Sequence, residues 1–423
     1  MVGRTESGWP KKKLGGKNMT KFSKKVILVF SLLALVIFAV GCGQTPTEQK
    51  PAEQQPTAQQ PAAYTEPATI KIGFLGALTG SVASYGQNTL DGMKLAAEEI
   101  NAAGGVNGKQ IEILENDDRG DKTEGANITQ KYVTQDKVVA IVGDPTTGIT
   151  KVAGPIANQN KVLLISAGAT GPEVEKIGPY VFRDTLLDSV GGPATIKYMV
   201  EKKGWKKVAL ITSINNDFSV GLSKIFKDGV IAANGEVATE ENISDGDTDF
   251  SAQVTNIKSK GAQVIIFSGY YTEGALIMKE VRKQGMEDIV MVGGDGLQSP
   301  VLWELGGDAV EGSISYAGFS PEQPTPATAK FIDSFKKKYN KEPDLFHAQG
   351  FDAVQLIANA IKTAATANPE KFKDSMAATN SFEGVSGVIS FSKTNREPIK
   401  SPVFLLQVKG KAFKLLEKVP VAQ

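Results

Sequence analysis

From Thr69 onward the chain repeats one pattern: a short apolar stretch, a turn rich in Gly, Asn or Asp, then a longer segment with one apolar face. Residues 70–75 (Ile-Lys-Ile-Gly-Phe-Leu) read as a strand. Leu90, Met93, Ala97 and Ile100 then recur at spacings of three and four, which is one face of a helix. Ala103-Gly104-Gly105 stops that helix, and a second strand is expected at 110–114. The pattern predicts further strands at 138–142, 162–166, 207–212, 264–268 and 289–293, with helices at 190–203, 216–233, 250–260 and 273–284. Strands joined by crossover helices must lie parallel, in sheets covered on both faces. About 356 residues of this kind exceed one ordinary sheet, so the expected fold class is α/β with two doubly wound parallel-sheet lobes.

Ligands of such folds lie beyond the carboxyl ends of the strands, at helix N-termini. Three strand ends carry small polar residues: Gly76-Ala77-Leu78-Thr79-Gly80, Gly143-Asp144-Pro145-Thr146-Thr147-Gly148 and Ser166-Ala167-Gly168-Ala169-Thr170-Gly171. Bare N–H groups at a helix start, a hydroxyl and the helix dipole together make an anion seat. A plain N-cap is the competing reading of each threonine. Two such loops after adjacent strands, both holding Thr, favour a shared carboxylate site.

The N-terminus has a different character. Lys24 and Lys25 precede an unbroken apolar run, 26–40, followed by Gly41-Cys42. Fifteen apolar residues are short for crossing about 30 Å of hydrocarbon but suit the core of a secretory signal. Ala39-Val40-Gly41-Cys42 resembles the bacterial lipobox, which implies cleavage after residue 41 and a lipidated Cys42, the chain's one cysteine. A simple anchor with an incidental cysteine is the alternative. Met19 to Lys25 would be a complete n-region alone, so Met19 is the expected true start. Residues 42–67 follow as the lipidated cysteine and a Pro/Gln-rich spacer, with prolines at 46, 51, 56 and 61. Such a stretch lacks the apolar area to fold and is expected to be a solvated tether.

Composition removes several classes of function. Taking away the first 41 residues, with eight of the 47 bases and one of the 46 acids, leaves 39 bases against 45 acids, a net of about −6. An acidic body without a clustered basic face argues against nucleic acid. One histidine, His347, and one cysteine exclude a disulfide framework, a Cys/His zinc site and a Cys–His nucleophile pair. The stretch Gly104 to Gln110 lacks the spacing of a phosphate loop, and no nucleophile elbow or dinucleotide turn is present. Asp117-Asp118 and the run Asp245 to Asp249 are acidic clusters that could suit calcium, but the second lacks the closing Glu of a calcium loop, and Asp249 suits an N-cap. His347, after a Pro-Asp turn, is expected to be structural. No enzyme chemistry, cofactor or metal is called for.

Several segments in order resemble one family. They are Ile70-Lys71-Ile72-Gly73, Leu78-Thr79-Gly80, Tyr85-Gly86, the run Gly92 to Ala96 and Ile100 to Gly108, Ile165 to Glu173, Phe182-Arg183-Asp184-Thr185, Asp249-Phe250-Ser251, Gly269-Tyr270-Tyr271 and Gly293-Gly294-Asp295-Gly296. The set is similar to the Leu/Ile/Val-binding, type I periplasmic-binding (Venus flytrap) receptors of ABC importers. The resemblance implies two lobes joined by three crossing strands near 183–188, 315–318 and 392–398. Lobe 1 would take 68–186 and 317–394, and lobe 2 would take 187–316 and 395–423.

The resemblance also implies residue roles. Thr147, Gly168 and Thr170 would hold a ligand carboxylate, with Thr147 standing where a serine is common. Asp295 would pair with the ligand ammonium, where the family often has glutamate. Tyr85, Tyr270 and Phe218 would wall the side-chain pocket. The function implied is an extracytoplasmic receptor, a monomer anchored to the membrane through Cys42, that delivers a free amino acid to a permease and its ATPase subunits. A sensory domain for a signalling partner, or a receptor for an amide or an aromatic acid, is the alternative. Some members bridge two cysteines across the loops after the second and third strands; the matching places here are Gly120 and Thr146.

Overall fold

The computed structural model describes residues 64–421. The signal segment, the start at Met19, Cys42 and the spacer up to residue 63 lie outside the described residues. Among the described residues no helix is long and apolar enough to cross a membrane. The expected spacer limit at 67 falls too late. Glu66 lies 2.5 Å from Lys109 Nζ and accepts from the Ala367 N–H at 3.2 Å, so the last spacer residues are tied to the body by charge-assisted hydrogen bonds.

The first sheet forms from β1 (Ile70–Gly76), β2 (Ile111–Asp117), β3 (Ala140–Gly143), β4 (Leu163–Ser166) and β5 (Val181–Arg183), with α1 (Ala83–Ala102), α2 (Lys122–Lys131) and α3 (Thr147–Gln159) between them. Its order is β2-β1-β3-β4-β5, all parallel. Successive residues serve opposite faces, as a pleated strand requires. Ala140 and Val142, with Leu163 and Ile165, pack into the core under α1, whereas Ile141 and Leu164 join the core under α2 and α3.

The second sheet takes β6 (Lys207–Ser213), β7 (Glu236–Ile243), β8 (Val264–Ser268), β9 (Met291–Gly293) and β10 (Ile314–Ala317). Its helices are α4 (Asp188–Lys202), α5 (Asp217–Ala232), α6 (Ser251–Lys260), α7 (Tyr271–Lys283) and α8 (Val301–Gly306). The chain then returns to the first body through α9 (Pro326–Tyr339), α10 (Leu345–Ala364) and α11 (Pro369–Ala377). A small antiparallel sheet follows, β11 (Phe382–Gly384), β12 (Gly387–Phe391) and β13 (Pro398–Ile399). The chain closes with β14 (Val403–Val408) and β15 (Phe413–Val419) on the second sheet, whose order is β15-β14-β10-β9-β8-β6-β7.

Two details differ from the sequence reading. The second sheet is not wholly parallel: β14 runs antiparallel to β10, and β15 antiparallel to β14. These strands arrive without a crossover helix and are joined by a two-residue turn whose central residues, Gly410 and Lys411, both have positive φ (58° and 58°), as a type I′ hairpin needs. The last passage between bodies lies at 400–402, beyond the expected 392–398, because Pro398 and Ile399 still pair with Phe391 and Ser390 of β12. The middle passage, expected at 315–318, lies at 318–325, because Ser315 to Ala317 still pair with β14 as part of β10; the first is 184–187.

α1 and α10 pack with unusually close backbones. A Cβ on Gly92 would stand 2.0 Å from the His347 carbonyl oxygen, and one on Gly350 would stand 2.1 Å from that of Thr89. His347 itself closes a capping box with Asp344 at the start of α10, a structural role.

Candidate functional site

The carboxyl ends of β1, β3 and β4 in one lobe face those of β8 and β9 in the other. On the first lobe, the turn after β3 places Thr146 in extended backbone as the N-cap of α3, yet its side chain makes no capping bond to that helix. The Thr146 hydroxyl donates instead to Asp144 Oδ1 at 2.5 Å. The first-turn N–H groups of α3 therefore keep no side-chain partner, and the plain N-cap reading of these threonines does not describe them. Thr147 is buried, and its hydroxyl accepts from the Gly171 N–H at 3.1 Å, fastening the turn after β3 to the turn after β4. Gly168 is required by that contact, since a Cβ there would stand 2.8 Å from Pro145 Cα. Thr170, also buried, completes the wall, and its carbonyl accepts from the Asp188 N–H at the start of α4.

On the second lobe, Asp295 opens a short 3-10 turn after β9 and is 6% exposed. Among the described residues no Lys or Arg pairs with it. Burial pushes its carboxyl well above the usual range, and the neighbouring Asp188 carboxylate adds to the effect. Asp188 accepts from the Tyr316 hydroxyl at 2.6 Å and is itself raised to about 6, by burial first. The polar floor is thus two carboxyls; the Arg183 charge offsets part of the burial cost at Asp188, while Asp295 has no base beside it.

Aromatic rings close the remaining sides. Phe218 and Tyr270 stack with centroids 5.7 Å apart and planes within 4°. Tyr85 meets Tyr270 edge-on at 5.6 Å and lies against Phe346 at 4.5 Å. The Tyr85 hydroxyl crosses the cleft to donate to the Gly296 carbonyl at 2.5 Å.

The structure brings all seven expected residues, Tyr85, Thr147, Gly168, Thr170, Phe218, Tyr270 and Asp295, to the walls of one cavity. Pro145, Thr146, Gly296 and Phe346 line it as well. Pro145 and Thr146 stand inside a strand-end motif already singled out, and Gly296 inside one of the segments that carry the family resemblance. Phe346 and the supporting Asp188 were missed: a Phe after a Pro-Asp turn and an acid in a first helical turn both pass as ordinary fold residues. The cavity offers one end with free N–H groups and hydroxyls, an opposite end with an unpaired carboxyl, and apolar rings between.

Comparison with known proteins agrees with this geometry. Residues 69–412 match the family described as Periplasmic binding protein. A Leucine-, isoleucine-, valine-, threonine-, and alanine-binding protein of Pseudomonas aeruginosa is 33% identical over 326 residues, 77% of this chain and 86% of the relative. The crystal structure of a leucine binding protein, LivK, from Thermotoga maritima is 32% identical with a TM-score of 0.80, covering 83% of this chain and 99% of that one. LivJ from Streptococcus pneumoniae, a branched-chain amino acid transporter substrate binding protein solved in complex with isoleucine, is 36% identical with a TM-score of 0.78, covering 84% and 99%. A cleft between two α/β lobes, matched over nearly the whole described body, places this chain in the periplasmic binding protein family.

Proposed function

We propose that the protein is an extracytoplasmic receptor that takes a free amino acid, of the leucine, isoleucine and valine class, into this cleft and delivers it to the permease and ATPase subunits of an ABC importer. The observation that carries the reading is Asp295, a buried carboxyl without a base, sharing a small cavity with the uncapped start of α3. A buried charge left unpaired is costly, so the site suits a ligand that brings the missing cation. An amino acid brings it together with a carboxylate for Thr147, Thr170 and the backbone of Gly168. Tyr85, Phe218 and Tyr270 then wall its side chain. The leucine-, isoleucine- and valine-binding relative in Pseudomonas aeruginosa and the isoleucine bound to the pneumococcal protein support the branched-chain class.

The same reading places a lipid on Cys42 after removal of residues 1–41, with translation from Met19, so that a monomer works at the outer membrane face. Replacing Cys42 by Ser is expected to move the protein from the membrane to the soluble fraction. The test of the function is a thermal-shift screen of the purified protein against the twenty amino acids. Leucine, isoleucine and valine are expected to raise the melting temperature most, by mass action on the folded state. A flat response to all twenty would refute the reading.

A further inference from the structure

Behind the carboxylate wall lies a second pair of acids that the ligand does not touch. Asp118 follows the last residue of β2 and Asp144 follows the last residue of β3; they are 0% and 1% exposed. Asp118 Oδ1 accepts from the Gly120 N–H at 2.9 Å, and the Asp118 carbonyl accepts from the Asp121 N–H at 2.8 Å, which fixes its loop. Asp144 Oδ1 accepts from both the N–H and the hydroxyl of Thr146, each at 2.5 Å. The Asp144 carbonyl accepts from the hydroxyls of Thr150 and Ser166 at 3.0 and 2.7 Å. Asp118 Oδ2 is buried and has no donor; the Asp118 N–H donates to the Gly76 carbonyl at 3.3 Å, and the register of β1 with β3, Phe74 opposite Val142, carries Asp144 to the other side of Gly76, so the two acids are neighbours across the end of β1. Two facing carboxylates repel, and only a proton between them turns the contact into a hydrogen bond.

No base offsets the pair. Asp117 and Asp121, from the same loop, face Asp118 and add negative charge. Arg119 is turned to Glu124 at 2.7 Å, and Lys122 is turned across the cleft to Asp217 at 2.5 Å. The remaining titratable neighbours are phenols, Tyr132 beside Asp118 and Tyr270 toward Asp144.

We propose that Asp118 and Asp144 share one proton, and that this carboxyl–carboxyl clip joins the loops after β2 and β3 and so positions Thr146 and Thr147 for the ligand. They are positioning residues, acting through the threonine turn. Burial holds both carboxyls above the ordinary range; the Asp118 charge adds to it at Asp144, and Asp117 and Asp121 add to it at Asp118. A group raised on folding contributes its stability at low pH and loses it as pH rises through the raised value. The clip is therefore closed in acid and opens toward alkaline pH, opposite in sign to the effect expected of Asp295.

The experiment compares wild type with Asp118→Asn, whose amide donates permanently to Asp144 while its oxygen still accepts from Gly120. Melting temperature of the ligand-free protein and Kd for L-leucine are both followed across pH. The ratio of wild-type to variant affinity is expected to fall with rising pH, by up to about tenfold per unit, which is the limit for one linked proton. The difference in melting temperature is expected to move the same way. Parallel profiles in both measurements would overturn the clip. The affinity arm rests on the cavity being an amino-acid seat; the melting arm needs no ligand, so it still decides if leucine does not bind. If Asp118→Asn does not fold, Asp144→Asn supplies the same permanent donor from the other side and is read identically.

Discussion

Asp295 gives the site its sign. A carboxyl raised by burial in the free protein must ionise to receive an ammonium group, so protons and ligand compete for it. Affinity for an amino acid is expected to fall as pH falls toward the raised value, and binding there is expected to release a proton. Calorimetry in two buffers of different ionisation enthalpy reads that proton directly; identical heats in both would contradict it. Truncating Asp295 to Ala is expected to weaken binding by roughly 30- to 4,000-fold, the range for losing one partner of a buried charge pair. Most of the wall was readable from the sequence because Thr147, Gly168 and Thr170 sit in small-residue turns at strand ends, where this class of fold binds; Asp295 came only from the family resemblance. Asp188 was not, since helix dipoles place acids in first turns without any ligand. Nor was the Asp118–Asp144 contact, because no local pattern relates the ends of two strands that lie on either side of β1.

At the level of elements, apolar period located the strands and helices well: 264–268 is strand β8 residue for residue, and the helix expected at 216–233 is α5, Asp217–Ala232. What escaped was the chain's end. Residues 403–419 carry no crossover helix to announce a strand, and the sharp Gly410-Lys411 turn shows itself only through backbone geometry. The close crossing of α1 and α10 was equally hidden, because a glycine within a helical pattern reads as a small defect, not as an approach of two backbones. Gly92→Ala would drive a methyl against the His347 carbonyl, 2.0 Å away in the structure. The expected cost is about 1–3 kcal/mol, the scale for overpacking a filled interior. Urea unfolding of the variant measures it, and a change below a few tenths of a kcal/mol would mean that the helices part without penalty.

For the molecule as a whole, the two lobes touch directly around the cavity. The Tyr271 hydroxyl accepts from the Ser84 N–H at 3.3 Å, the Ser299 hydroxyl donates to Ser84 Oγ at 2.9 Å, and Lys122 meets Asp217 at the rim. These bonds belong to the closed arrangement, so a ligand that adds to them shifts the population toward closure. The rim pair is half open to solvent, 50% on the lysine side and 36% on the aspartate side, so its contribution is modest. Lys122→Ala is expected to raise Kd by no more than about fivefold, with the difference vanishing at high salt. A loss that persists in molar salt would assign Lys122 some role other than a rim ion pair. The central claim is that one dipolar solute is held by its carboxylate on the first lobe and by its ammonium on the second. Calorimetric titration of L-leucine against 4-methylpentanoate, its counterpart without the amine, tests it most directly. The account predicts that the deaminated acid binds at least about 30-fold more weakly, since it leaves Asp295 buried and unpaired; equal affinities would contradict it.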